Sequence, residues 1–218
     1  CEKILMYLNF LGSNLYYHAV QNINGPSTSR ICRIFRDITS AIWEWEKENP
    51  IIRWPENVMD EVVRPFKAIA GMPAVVGAMD GTHVKLSPPH LFEEAYINRH
   101  HDHSLNVIAI CGPDQRFLYV NTACPGRYHD SRVLQESALW EDFETHGFRP
   151  IPGGIILGDS AYPCREWLIP VYRGIVVGAQ QRFNDAHCKT RVIIEQSFGV
   201  LKNRFPTLQT GLQLADPA

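Results

Sequence analysis

Val75-Val76-Gly77-Ala78-Met79-Asp80-Gly81-Thr82-His83-Val84-Lys85-Leu86 is the stretch on which the fold turns. From Ala74 the texture becomes strand-like, and Val75–Leu86 is a candidate strand that carries the carboxylate of Asp80. Outward from it, Ser104–Cys111 and Phe117–Ala123 read as two further strands. They are joined at Gly112-Pro113-Asp114-Gln115, a polar turn containing Gly and Pro. Three consecutive strands with one tight connection suggest an antiparallel meander.

Beyond the meander, Ser131–Trp140 reads as a helix and Gly153–Leu157 as a buried strand of continuous apolar character. Gly174–Gly178 reads as another strand, and Thr190–Asn203 as an amphipathic helix. Pro150–Gly154 reads as a turn inside the domain. Three strands, a helix, two strands and a closing helix make the order of an RNase H-like α/β fold, a mixed sheet flanked by helices. The expected division is a helical N-terminal domain over residues 1–73 and the sheet domain over 74–218.

The first of these is expected to be small, all-α and helix-turn-helix-like. Residues 3–48 carry apolar positions at helical spacing, such as Ile31, Ile34, Phe35, Ile38 and Ile42, punctuated at Asn24-Gly25-Pro26-Ser27. The pattern predicts a helix over Asn14–Ile23, then a second beginning after Pro26 with Ser27 or Thr28 as its N-cap. Arg30, Arg33 and Arg36 recur every third residue. Either they form the DNA-facing stripe of a helix-turn-helix, or they are the solvated face of a small helical bundle.

Composition bounds what the domains can do. A chain of 218 residues with 45% hydrophobic content can bury a full core and fits one medium domain with a small appendage. No run approaches the roughly 20 apolar residues of a membrane helix, so no membrane association is expected. Cys1, Cys32, Cys111, Cys124, Cys164 and Cys188 show no Cys-x-x-Cys spacing. They read as buried reduced thiols in an intracellular setting. A net charge of −2 exerts no global pull on a polyanion, so any nucleic-acid contact must come from local patches. His100, His101 and His103, with His83, His129 and His187 elsewhere, lack the spacing of a zinc site.

The chemistry follows from where three acids fall. Asp80 lies in the first strand, Asp159 just after the fourth and Glu195 near the start of the last helix, separated by 79 and 36 positions. An α/β sheet can bring such residues to one edge. Cleavage of a phosphodiester needs two hard cations, and magnesium or manganese requires oxygen ligands. Taken singly, each acid also has a structural explanation: Asp80-Gly81 as a turn pair, Asp159-Ser160 as a helix cap, Glu195 as a solvated residue.

Their joint context decides. The strings Ala78-Met79-Asp80-Gly81-Thr82-His83-Val84, Pro125-Gly126-Arg127-Tyr128-His129-Asp130-Ser131-Arg132, Leu157-Gly158-Asp159-Ser160-Ala161-Tyr162-Pro163 and Arg191-Val192-Ile193-Ile194-Glu195-Gln196-Ser197-Phe198 occur in that order. Together they resemble the DDE domain of PIF/Harbinger transposases and of the domesticated Harbinger-derived nucleases, over about residues 74–206. Asn98-Arg99 and His103-Ser104-Leu105-Asn106 extend the likeness. Arg191, Glu195 and Lys202 reproduce the arginine, the glutamate four on and the lysine seven further that related insertion-sequence transposases carry.

The resemblance implies a metal-dependent DNA endonuclease with Asp80, Asp159 and Glu195 as the catalytic triad. It implies two Mg2+ or Mn2+ ions and, in a competent transposase, strand transfer by the freed 3'-hydroxyl. It marks Asp130 as a further metal ligand, although His129-Asp130-Ser131 would equally cap the following helix. Arg191 and Lys202 are implied phosphate contacts, and Arg30 and Arg33 DNA contacts. A Myb/SANT-like partner protein, a nuclear location shared with the cytoplasm in a eukaryotic cell, and an oligomer all accord with the family. Because the family's apolar closing helix is missing from Gly211–Ala218, a truncated or divergent C-terminal end is expected. The competing reading is a domesticated, non-catalytic adaptor that keeps the fold to bind DNA or protein.

Overall fold

The computed structural model describes residues 2–13 and 26–212. At its centre is a five-stranded mixed sheet of order β3-β2-β1-β4-β5. β1 (Val75–Lys85), β2 (Ser104–Cys111) and β3 (Phe117–Pro125) form the antiparallel meander, while β4 (Ile155–Leu157) runs parallel to β1 and β5 (Leu168–Ile169) parallel to β4. The central strands are covered on both faces, which is why Val75, Val76, Ala78 and Met79 on β1 and Ile108 and Ile110 on β2 are fully buried and the apolar pattern is continuous. Helices flank the sheet, with the one-turn α4 (Glu93–Tyr96) between β1 and β2, so the expected α/β class is observed.

One strand differs from expectation. Gly174–Gly178 does not pair: Ile175 is 99% exposed, and Gly174 and Gly178 adopt φ of 78° and 63°, left-handed values that interrupt an extended run. The place beside β4 is already taken by Leu168–Ile169, with Ile156 N–H donating to the Trp167 carbonyl at 2.7 Å. The five residues 174–178 instead lead into α7 (Ala179–Arg204), which begins 11 positions before the expected Thr190. The expected helix Ser131–Trp140 is broken in two, α5 (Asp130–Gln135) and α6 (Ala138–Trp140). Ser137 makes the break: its Oγ donates to the Leu134 carbonyl at 2.6 Å and accepts from Trp140 N–H at 3.3 Å, competing with the helical ladder.

Before the sheet, α1 (Glu2–Ser13) packs on α2 (Thr28–Glu48). Ile31, Ile34 and Phe35 occupy one helical face and bury against Met6 and Phe10, with the Phe10 and Phe35 ring centroids 4.9 Å apart. Ser27 takes the N-cap position, but its side chain makes no capping bond. The expected helix over Asn14–Ile23 lies outside the described residues.

The expected boundary at residue 73 falls within a single core. Val58, Val62, Val63, Phe66 and Met72 share one buried cluster with the sheet. Val62, Val63 and Phe66 come from a π-helical turn, Met59–Val63, that runs on as α3 (Arg64–Ala70), with Val58 and Met72 just outside its two ends. Trp54 Nε1 also donates to the Val76 carbonyl at 3.0 Å. The thiols are not uniformly buried either: Cys111 and Cys124 are, whereas Cys164 and Cys188 are exposed. Among the described residues no helix is long and apolar enough to cross a membrane.

Candidate active site

Strand register brings the first two acids together. Ala78 of β1 pairs with Leu157 of the parallel β4, and Asp80 and Asp159 each lie two residues further on. Both carboxylates therefore emerge at the same level, Asp80 midway along β1 and Asp159 just past the C-terminal end of β4. Glu195 arrives from α7, which crosses β1. One helical turn before it, Arg191 Nη1 donates to Asp80 Oδ2 at 3.0 Å, and Nη2 donates to Glu195 Oε1. Asp80, Arg191 and Glu195 thus form one ion-paired chain.

Asp130, the first residue of α5, closes the other side. A Cβ on Gly81 would sit 2.7 Å from Asp130 Oδ1, so only glycine lets that carboxylate lie against β1. Asn106 Nδ2 holds the carboxylate from β2 with a 2.7 Å hydrogen bond to Oδ1. Asp159 Oδ1 accepts from Ser160 N–H at 2.6 Å, and Asp80 Oδ1 from Gly81 N–H at 2.9 Å.

The electrostatics reflect this convergence. Burial raises the Asp80 pKa above the ordinary 3.8; the Arg191 guanidinium and the Gly81 N–H oppose the rise, and the Asp159 charge adds to it. Tyr162, 3% exposed, is pushed well above the usual phenol value by burial and then by Asp130, Asp80 and Asp159. Its hydroxyl is a donor with no partner among the described residues, within the field of three carboxylates. An orphan donor in such a place is the mark of a site that takes a polar group.

Lys202 is placed differently from Arg191. Its Nζ donates to Thr82 Oγ1 at 2.7 Å and to the His83 carbonyl at 2.9 Å, clamping α7 to the end of β1. Burial lowers its pKa. Arg30 and Arg33 lie on the exposed side of α2, in the α1–α2 unit and apart from the acids. The histidines are dispersed: His83 Nδ1 meets Ser104 Oγ at 3.0 Å, His103 Nε2 meets Glu93 Oε1 at 2.8 Å, and buried His187 meets the Ile169 carbonyl at 2.8 Å.

Tyr162 and Asn106 are site residues that sequence reasoning passed over. Asn106 had a signal, being a lone amide early in the apolar run Leu105-Asn106-Val107-Ile108-Ala109-Ile110. Tyr162 had only its place three residues after Asp159.

The donor set of Asp80, Asp130, Asp159 and Glu195 is all carboxylate oxygen, the chemistry that suits magnesium or manganese. The Tyr162 hydroxyl and the space that Gly81 leaves fit the same purpose. As the side chains stand, no group of three or more His, Cys, Asp or Glu among the described residues is gathered at ligand distance; the Arg191 guanidinium lies between Asp80 and Glu195.

Comparison with known proteins agrees with the resemblance read from the motifs. The family described as "DDE superfamily endonuclease" matches residues 79–217. Over 208 residues the chain is 31% identical to human "Putative nuclease HARBI1", covering 94% of this chain and 58% of that protein. The Xenopus laevis protein of the same name is 28% identical over the same shares. Arabidopsis thaliana "Protein ALP1-like" is 25% identical over 230 residues, covering 99% of this chain and 55% of that protein. The chain spans a little over half the length of these curated relatives. No solved structure matches it. Motif order, the shared level of Asp80 and Asp159 and the extent of the match place this chain in the DDE superfamily endonuclease family.

Proposed function

We propose that the chain is a divalent-metal-dependent DNA endonuclease of the transposase-derived type. The observation that carries this reading is the parallel β1–β4 register, which sets Asp80 and Asp159 side by side where α7 delivers Glu195. The strand order β3-β2-β1-β4-β5, with three antiparallel and two parallel members, supports an RNase H-like scaffold. The α1–α2 cluster supports a separate helical unit, and the exposed Arg30 and Arg33 suit it to DNA.

Asp80, Asp159 and Glu195 would hold two Mg2+ or Mn2+ ions, with Asp130 as a further ligand. When bound, such ions lower the pKa of an attacking water and neutralise the departing 3'-oxyanion. This chain's own residues do the rest. Asn106 fixes the Asp130 carboxylate, and the Ser160 and Gly81 amides orient Asp159 and Asp80. Arg191 contributes a second charge that can turn from Asp80 to a phosphate oxygen, since a guanidinium binds either oxyanion in the same fork geometry. Tyr162 offers a neutral O–H, kept protonated by burial and the surrounding carboxylates.

A second reading, a domesticated adaptor binding DNA or protein without cleavage, is favoured by one observation: Arg191 already pairs with both Asp80 and Glu195. A Myb/SANT-like partner, a nuclear location and strand transfer remain with the nuclease reading as proposals from the family. The test is nicking of supercoiled DNA in magnesium or manganese. The wild type nicks and Asp159→Asn does not; equal nicking by both overturns the assignment of Asp159. Failure of both to nick, with no manganese binding by calorimetry, favours the adaptor.

A further inference from the structure

A nuclease must hold the DNA backbone, and on a chain of net charge −2 the place for it has to be local. Beside the acids lies a cavity of about 310 Å3, near the lower end of the range for sites that enclose a small ligand. Gly81 and Asp130 form its inner wall, Asn106 lines it from β2, and Arg99, Arg127 and His129 stand around it. One side is therefore continuous with the carboxylate cluster and the other is cationic.

Arg99 and Arg127 are exposed, and among the described residues neither has a carboxylate at ion-pair distance. Nearby acids are already engaged, Asp102 with Lys85 at 2.9 Å and Glu93 with His103 at 2.8 Å. Asn106 is 1% exposed. Its Nδ2 donates to both the Tyr128 carbonyl and Asp130 Oδ1, which fixes the amide orientation and leaves Oδ1 as a buried acceptor with no donor. A polar cavity with an orphan acceptor at its base accommodates a bridging water beneath a bound oxyanion.

The walls are held in place. Asn98 Oδ1 accepts from the His100 and Asp102 amides, and Asn98 Nδ2 donates to Ser104 Oγ at 2.9 Å, fixing the loop that carries Arg99. Across from it, Gly126 N–H donates to the Ser104 carbonyl at 2.8 Å and Arg127 N–H to the Ala95 carbonyl at 3.0 Å. A Cβ on Gly126 would collide with Ser104, so this turn approaches β2 as closely as glycine permits.

We infer that this cavity takes a backbone phosphate of the DNA strand flanking the scissile bond, with Arg99 and Arg127 supplying its countercharge. The inference rests on the nuclease reading of the acids and adds the path of the strand: between the carboxylates and the 98–103 loop. Arginine suits the role because its planar fork pairs two donors with two phosphate oxygens.

The test measures binding of a short fluorescent DNA duplex in EDTA, where neither metal nor cleavage enters. Each lost phosphate contact reduces the slope of log K against log salt by about 0.9, so one contact is worth about 3.5-fold between about 50 and 200 mM. Arg99→Ala and Arg127→Ala each weaken binding and flatten the slope by about that amount, and the double variant by about twice it. Arg116→Ala is the control: the β2–β3 turn lies at the other end of the strands, and this arginine pairs with Asp114. Circular dichroism and an unchanged manganese titration show that the variants keep the fold and the acids. Unaltered affinity and slope in the double variant, or no DNA binding by the wild type, overturns the inference. The first result leaves the nuclease reading untouched, since that stands or falls on nicking and metal binding, whereas a wild type that neither binds nor nicks DNA fails both.

Discussion

Arg191→Met removes the guanidinium between Asp80 and Glu195 while keeping an unbranched side chain. The Arg191 and Asp80 side chains are 15% and 21% exposed, so this is a mostly buried pair, and breaking such a pair by removing one partner costs about 3–5 kcal/mol. The lower figure applies here. Asp80 keeps the Gly81 N–H and takes up a proton when its charge is unpaired, while Glu195, half exposed, loses little. At a urea slope of about 2 kcal/mol/M, a cost of about 3 kcal/mol moves the unfolding midpoint down by about 1.5 M. Asp80→Asn in the same background removes the stranded charge and recovers most of the loss, which a double-mutant cycle reads as coupling. Manganese at about 100 times its Kd adds about 2.7 kcal/mol to any protein that binds it only when folded. Because bound cations replace the missing guanidinium, the variant's deficit shrinks in manganese. A midpoint shift below about 0.3 M in EDTA, unaltered by Asp80→Asn, would refute the view that Arg191 is the counterion of this site.

Other perturbations separate the parts of the account. Gly81→Ala drives a methyl into the Asp130 carboxylate and costs about 1–3 kcal/mol of stability; calorimetry with manganese then shows weakened binding if Asp130 is a ligand and unchanged binding if it only caps α5. The raised Asp80 pKa has a defined sign. Between the ordinary 3.8 and the higher folded value the native state binds more protons than the unfolded chain, so Asp80 makes stability fall as pH rises through that window. Urea midpoints of Asp80→Asn, measured without metal, therefore gain on wild type as pH rises from about 4. Phe66→Ala empties a fully buried position and costs about 3–5 kcal/mol. A chain beginning at Ala74 loses Phe66, Val62 and Val58 from the sheet core and shows no cooperative unfolding transition, whereas retention of one would support a boundary at 73.

The meander was legible because Val75–Leu86, Ser104–Cys111 and Phe117–Ala123 are long enough for propensity and turn chemistry to agree, and β2 appears with the expected ends. Of the short parallel strands, β4 was legible from the apolar run within Gly153–Leu157, but β5 was not. It has two residues, too few for any period to register, and Ile175-Val176-Val177 has better strand propensity than Leu168-Ile169. Pairing geometry overrides propensity there, because residue 168 reaches the edge of β4 first. The acids were legible as a group from their motifs, but not the Arg191 bridge to Asp80, a contact across 111 positions. Reading Arg191 and Lys202 as equivalent phosphate contacts missed a distinction that only packing supplies. Arg191 meets carboxylates, and Lys202 meets backbone and hydroxyl oxygens of β1.

The most direct test of the central claim is anomalous diffraction from crystals of the chain soaked in manganese. Two anomalous peaks are expected among Asp80, Asp159 and Glu195, one of them within reach of Asp130, with the Arg191 guanidinium displaced from Asp80. Crystals that diffract well but show no peak at these carboxylates, with Arg191 still bridging Asp80 and Glu195, would contradict it.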